Sequence, residues 1–230
     1  MRLYLASTSP ARLATLRAAG IDPTVLFSEV DEDAAVEAAG SLNTVEMVQL
    51  LARLKAEAVV ERFGGGHSGG HSGGHAGGHA GGHGDDAPID GFVLGGDSAF
   101  ELDGVTYGKP HLPEVAREQW LLQRGRTGLL HSGHWLIDCR GGRIGDAHGA
   151  VSTSSVTFAD NISEREIDAY IATGEPLKAA GAFTIDSLGA PFISSIQGDP
   201  HAIVGLSLAV LRQLLIEFDV SWPTLWNTGM

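Results

Sequence analysis

Cysteine, lysine and long apolar runs are all scarce in this chain of 230 residues. The single cysteine, Cys139, excludes an intramolecular disulfide framework and a cysteine-rich zinc site. It is expected to be a buried core residue. Basic residues number 15 against 28 acidic ones, a formal net charge of −13. That field repels a polyanion such as DNA unless a basic patch is concentrated somewhere, and no basic run occurs, so nucleic acid is not an expected partner. A small anion is a different case, because a few placed cations and backbone N–H groups can hold it. No stretch approaches the ~20 apolar residues of a membrane helix. The opening MRLYLASTSPARL has too short an apolar run for a signal peptide. A soluble, cytoplasmic protein without a membrane partner is the expectation.

With 43% hydrophobic and 19% charged residues, the chain can bury a core. Its length suits one large domain or two small ones. The 32 glycines are not spread evenly: 12 of them lie in residues 64–84, with five histidines, two serines and two alanines. This tetrapeptide repeat has no apolar side chain to bury and reads as a flexible insertion. Its histidines, His67, His71, His75, His79 and His83, could instead wrap a transition metal. Deleting residues 64–84 would separate a metal reservoir from a tolerated loop.

Residues 2–6 predict a strand, followed by a helix from Pro10 to Ala19 with Ser9 as N-cap and Gly20 as stop. Residues 24–30 read as strand-like. A longer helix is predicted over 44–63, with an apolar stripe at Val48, Leu51 and Val59. A buried strand over 91–102 is followed by an Asp103-Gly104 turn, a helix over 113–123 ended by Gly125, and a strand over 129–139 before a Gly141-Gly142 turn. Another strand spans 150–159. Ser163 and Glu166 form a capping box for a helix ending at Gly174. Short strands are predicted at 182–186 and 191–196, then a last helix over 202–217. The order mixes strands and helices without strict alternation, which predicts an α/β protein with a mixed sheet.

Ser7, Ser9 and Arg12 surround the positive end of the first helix directly after a strand. Free N–H groups, hydroxyls and a guanidinium suit an anion, though the same turn is common as plain structure. The three lysines are Lys55, Lys109 and Lys178. Lys55 falls on the apolar stripe of its helix and must snorkel out or meet an anion. Lys109 follows a hairpin where packing asks for no lysine. Asp97 ends a hydrophobic strand, which is costly unless it binds a cation, a metal or several donors. Asp31, Glu32 and Asp33 form an acid cluster after the strand-like 24–30. Carboxylates from separate loops, with lysines and an anion turn, suggest a site for Mg²⁺ and a polyphosphate.

Taken together, these segments resemble the Maf family of nucleoside triphosphate pyrophosphatases over about residues 3–218. The motifs that carry the resemblance are Leu5-Ala6-Ser7-Thr8-Ser9-Pro10-Ala11-Arg12, Asp31-Glu32, Lys55-Ala56, Gly96-Asp97-Ser98, Gly108-Lys109-Pro110, Tyr170 with Gly174-Glu175-Pro176, Ala180-Gly181-Ala182-Phe183, and Ile203-Val204-Gly205-Leu206-Ser207. The resemblance implies a single domain over 1–230. It implies an elongated, twisted mixed sheet flanked by helices, with a cleft between two lobes. It also implies a hydrolase that cuts the α–β phosphate bond of non-canonical, modified or pyrimidine nucleoside triphosphates, releasing a monophosphate and pyrophosphate. Ser7, Ser9, Arg12, Lys55 and Lys109 would hold the triphosphate. Glu32 and Asp97 would bind Mg²⁺ or Mn²⁺ or orient water, with Asp97 as proton acceptor, and Glu32 and Lys109 would share in catalysis. A homodimer is the expected assembly. A nucleotide-binding regulator of cell division without catalysis is the alternative.

The departures from the family pattern bear on base preference. Ala11 replaces an arginine, Gly96 and Ser98 replace alanine and threonine, and Asp186-Ser187 stands where a pyrimidine-preferring subgroup has glutamine-glycine. Lys178-Ala179 replaces an Asp-Lys pair. Ser207 in place of proline reads as a loop change without chemical meaning, and Arg126 reads as a further phosphate or base contact.

Overall fold

The structure, a computed structural model, describes residues 1–63 and 88–227. The Gly/His segment 64–84, with its histidines, lies outside the described residues. Among the described residues no helix is long and apolar enough to cross a membrane.

Seven strands form one mixed sheet: β1 (Leu3–Ala6), β2 (Thr24–Val25), β3 (Phe92–Leu102), β4 (Val105–Tyr107), β5 (Thr127–Asp138), β6 (Ala147–Phe158) and β7 (Ile193–Gln197). Their order is β2-β1-β3-β5-β6-β7, with β4 beside β3. Pairing of β1 with β2 and β3 is parallel, and the remaining ladders are antiparallel. One edge of β3 pairs with β5 from Phe92 to Glu101. Its other edge divides: β1 covers Phe92 to Gly95 and β4 covers Phe100 to Leu102. Residues 96–99 lie between those two partners. The sheet forks there, and the fork separates two lobes.

The first lobe has helices on both faces of the sheet. On one, α3 (Thr44–Phe63) packs Ala56, Val59 and Val60 against Tyr4, Val93, Ile137 and Cys139. Cys139 is buried, as expected of a core residue. On the other, α1 (Pro10–Ala18) and α7 (Leu208–Glu217) bury Leu16, Leu211 and Leu215 against Leu5, Leu94 and Leu136. The second lobe forms around Trp120 of α4 (Pro113–Gln123), with Phe100, Phe158, Phe183 and, from α5 (Glu164–Ala172), Ile167 and Tyr170. Its rings meet largely edge to face, as at Trp120–Phe158, where centroids are 5.5 Å apart.

Most predicted elements occur, and four expectations are corrected. Residues 24–30 form only the two-residue β2. The acid cluster then opens an unpredicted helix, α2 (Glu32–Ala39), capped by Asp31. Residues 182–186 form no strand, because the backbone there turns around Glu175. The last helix is two, α6 (Pro200–Val204) and α7: Gly205, at φ 116°, ends the first and Ser207 caps the second. Ser207 therefore has a structural task. Its hydroxyl accepts from the N–H of Val210 at 3.0 Å and its own N–H donates to His134 Nε2 at 2.8 Å.

Candidate active site

The fork in the sheet opens into a cleft of about 550 Å³. Ser7, Ser9, Arg12, Glu32, Lys55, Asp97 and Lys109 all line it, so the residues expected to hold the triphosphate and the metal share one cavity. They arrive from the β1–α1 turn and α1, from α2, α3 and β3, and from the loop after β4.

Asp97 lies on β3 within the fork. Lys55 lies on α3, which crosses β3 and β5 at very short range. Only glycine allows this approach: a Cβ at Gly95 would lie 2.0 Å from the carbonyl oxygen of Ala52, and one at Gly133 2.3 Å from that of Val48. Lys55 stands one turn beyond Leu51 on the buried face and is itself buried. Its ammonium meets Asp97 Oδ1 at 2.7 Å and Glu32 Oε1 at 2.8 Å. Of the two possibilities left open by the sequence, Lys55 meets an anion. Glu32 reaches it from the first turn of α2, where helix capping by Asp31 fixes the direction of entry.

The anion turn is also assembled. Ser9 caps α1, and Ser7 Oγ accepts from the Ser9 N–H at 3.2 Å. Arg12 folds back beneath the turn: Nη1 donates to Ser7 Oγ at 2.9 Å, Nη2 to Ser98 Oγ at 3.0 Å, and Nε to the carbonyl of Gly205 at 2.8 Å. Ser98 Oγ joins Ser132 Oγ at 2.7 Å, and Ser132 donates to the carbonyl of Ala202 at 2.7 Å. Burial pushes the Arg12 pKa down, against the charges of Asp97 and Glu32, which raise it. A guanidinium stays protonated in such a setting, so Arg12 contributes a fixed positive charge beside the two carboxylates. The structure places Ser98, Ser132 and Gly205 in this network, although sequence reading gave them no role. The Gly-Leu-Ser break between α6 and α7 was the available signal, since it carries the Gly205 carbonyl to Arg12.

Lys109 is exposed on the opposite lobe. Its loop is tied to the segment after α5 by Gly181 N–H to Gly108 O at 3.1 Å and His111 N–H to Leu177 O at 3.1 Å. Lys178 lines the cleft from that segment. Arg126 does not line the cleft. It pairs with Asp103 in the β3–β4 hairpin turn, which corrects its expected contact.

The donor set fits a hard divalent cation. Two carboxylate oxygens from different elements converge on one positive charge, the Lys55 ammonium, beside an open cleft. Mg²⁺ is commonly held by one or two carboxylates together with substrate phosphates and water. Among the described residues no group of three or more His, Cys, Asp or Glu is placed to hold a metal alone. An ion at Glu32 and Asp97 would thus share its shell with the substrate.

The sequence pattern of the family described as Maf-like protein matches residues 2–218. The chain belongs to the Maf family. A Maf relative from Leifsonia xyli subsp. xyli is 58% identical over 231 residues, covering 99% of this chain and 97% of its own length. One from Salinispora tropica is 44% identical over 229 residues, covering 100% of this chain and 89% of its own length. Both are named nucleoside triphosphate pyrophosphatase. The solved structure of the Staphylococcus aureus Ham1 protein covers 70% of this chain and 73% of its own, at 18% identity and a TM-score of 0.39.

Proposed function

We propose that this Maf chain hydrolyses nucleoside triphosphates between the α- and β-phosphates, giving a nucleoside monophosphate and pyrophosphate. The observation that carries the reading is the buried Lys55 ammonium held between Glu32 and Asp97 at the fork of the sheet. The names of the Leifsonia and Salinispora relatives support it. Non-canonical, modified or pyrimidine nucleotides are the proposed substrates, in a cytoplasmic homodimer.

In this reading Lys55, Lys109 and the Ser7–Ser9–Arg12 turn bind the triphosphate and neutralise charge on its non-bridging oxygens. Phosphoryl transfer needs positioning and charge stabilisation more than covalent help. Water attacks the α-phosphorus and its proton passes to the Asp97 carboxylate. The α-phosphorus bond to the bridging oxygen breaks, and pyrophosphate leaves with that oxygen. Lys55, 2.7 Å from Asp97 Oδ1, fixes the position of that carboxylate at the cleft. Glu32 and Asp97 would hold the divalent cation, Mg²⁺ or Mn²⁺, which when bound supplies further charge neutralisation on the phosphates.

The test is pyrophosphate release across a panel of canonical and modified nucleoside triphosphates, with Asp97→Asn and a chelator in parallel. Asp97→Asn removes the proton acceptor and should cut kcat by about 10²-fold or more with the fold retained. A chelator should abolish release. Wild-type turnover by Asp97→Asn would remove that residue from its role. Nucleotide binding without release would leave a nucleotide-binding regulator instead.

A further inference from the structure

Of the carboxylates lining the cleft, Glu175 is held unlike the rest. Its Oε1 accepts from the Tyr170 hydroxyl at 2.9 Å, the Thr184 hydroxyl at 2.5 Å and the Gly189 N–H at 3.1 Å. Its Oε2 accepts from the Ser187 hydroxyl at 2.7 Å and the Leu188 N–H at 3.3 Å. A carboxylate offers about four lone-pair sites, so five donors saturate it. Burial pushes its pKa up, but hydrogen bonds from Thr184, Ser187 and Tyr170 prevail and hold it at about 2. Glu175 is thus ionised throughout neutral conditions, with no lone pair to spare for a proton or a metal ion.

The consequence is geometric. Four of the five donors belong to residues 184–189, a stretch with no helix or strand of its own. The stretch closes on itself where only glycine fits: a Cβ at Gly189 would lie 2.6 Å from both the Thr184 carbonyl oxygen and the Tyr170 hydroxyl. Closed in this way, it presents Thr184, Ile185 and Asp186 to the cleft beside Phe183. That wall offers a hydroxyl, an aliphatic chain, a carboxylate and a ring, and no cation. It suits a nucleoside and repels a polyphosphate, which Arg12, Lys55 and Lys109 would take.

We propose that Glu175 is a positioning residue for nucleoside selection: its carboxylate fixes residues 184–189 as the nucleoside-facing wall of the cleft. This rests on the hydrolase reading above. Glu175→Gln replaces one acceptor oxygen by an amide donor that faces hydroxyl and N–H donors. It should raise KM for the preferred nucleotide about tenfold or more, lower kcat less than about threefold, and narrow the preference between the best and second-best base. Inhibition by inorganic tripolyphosphate, which reports the cationic wall alone, should stay within about twofold. Ser187→Ala, which removes one donor and leaves the carboxylate, should shift KM in the same direction by less, and keeps the test open if Glu175→Gln fails to fold.

A wild-type KM and base preference in both variants would overturn the proposal, as would an equal loss of tripolyphosphate inhibition. If the wild-type enzyme releases no pyrophosphate from any nucleotide, the hydrolase reading fails by itself. Amide exchange at Leu188 and Gly189 then decides, since the proposal requires it to accelerate in Glu175→Gln and unchanged exchange contradicts it.

Discussion

Lys55 is the residue on which sequence and structure agree most usefully. A lysine on the buried stripe of a helix had to snorkel out or meet an anion, and two carboxylates supply the anion. Removing the ammonium leaves a buried carboxylate without its partner. Lys55→Met should therefore lower kcat/KM by about 10²-fold or more, through lost charge stabilisation, and Asp97→Asn in the same background should recover stability but not activity. Chemical denaturation alongside pyrophosphate release separates the two effects. His134 makes a pH prediction. Burial, reinforced by the nearby Arg12 charge, lowers its pKa from 6.5 to about 4. The unfolded chain then binds a proton in a window where the folded chain does not, so stability falls as pH drops from 6.5 towards 4. His134→Gln, which can still accept from the Ser207 N–H, should flatten that fall in urea titrations at neutral and acid pH. The role of His134 was illegible in the sequence because its partner, Ser207, lies 73 residues away.

Elements with local signals were legible in the sequence. The Ser163–Glu166 capping box forms as expected, with both reciprocal bonds present. Ser163→Ala should cost about 1 kcal/mol in denaturant titration and leave kcat unchanged, because Ser163 is exposed and does not line the cleft. The run 44–63 is a helix because its apolar spacing and its lack of glycine and proline leave no competing structure. Elements set by distant contacts were not legible. Helix α2 buries no side chain, so no apolar periodicity marks it. Residues 182–186 alternate like a strand, yet the Glu175 carboxylate captures the adjoining N–H groups and hydroxyls and a loop results. The tight seat of α3 on the sheet also depends on a pairing that no local pattern announces. Gly133→Ala would set a Cβ 2.3 Å from the Val48 carbonyl oxygen. The helix must move, at a cost of about 1–3 kcal/mol, and Lys55 must leave Asp97. A drop in both Tm and kcat/KM is the expected result, and retention of full activity would show that the close seat does not position Lys55.

At the scale of the whole molecule, the cleft follows from how β3 is shared. One edge is paired throughout with β5, while the other passes from β1 to β4 and opens at residues 96–99. The candidate site residues that sequence motifs singled out, scattered from Ser7 to Lys109, meet at that opening. Their meeting is a property of topology that no single motif contains. The overall charge of −13 opposes an approaching triphosphate, and only the cationic residues of the cleft reverse it locally. Attraction across exposed Lys109 is screened by salt, whereas the buried Arg12 and Lys55 are screened much less. Raising ionic strength should therefore raise KM several-fold in the wild type and less in Lys109→Ala, with kcat nearly constant. The central claim is attack by water at the α-phosphorus beside Asp97. Hydrolysis in ¹⁸O-labelled water tests it most directly, with mass analysis of both products. The account predicts the label in the nucleoside monophosphate and none in pyrophosphate; label in pyrophosphate would place the attack at the β-phosphorus and contradict it.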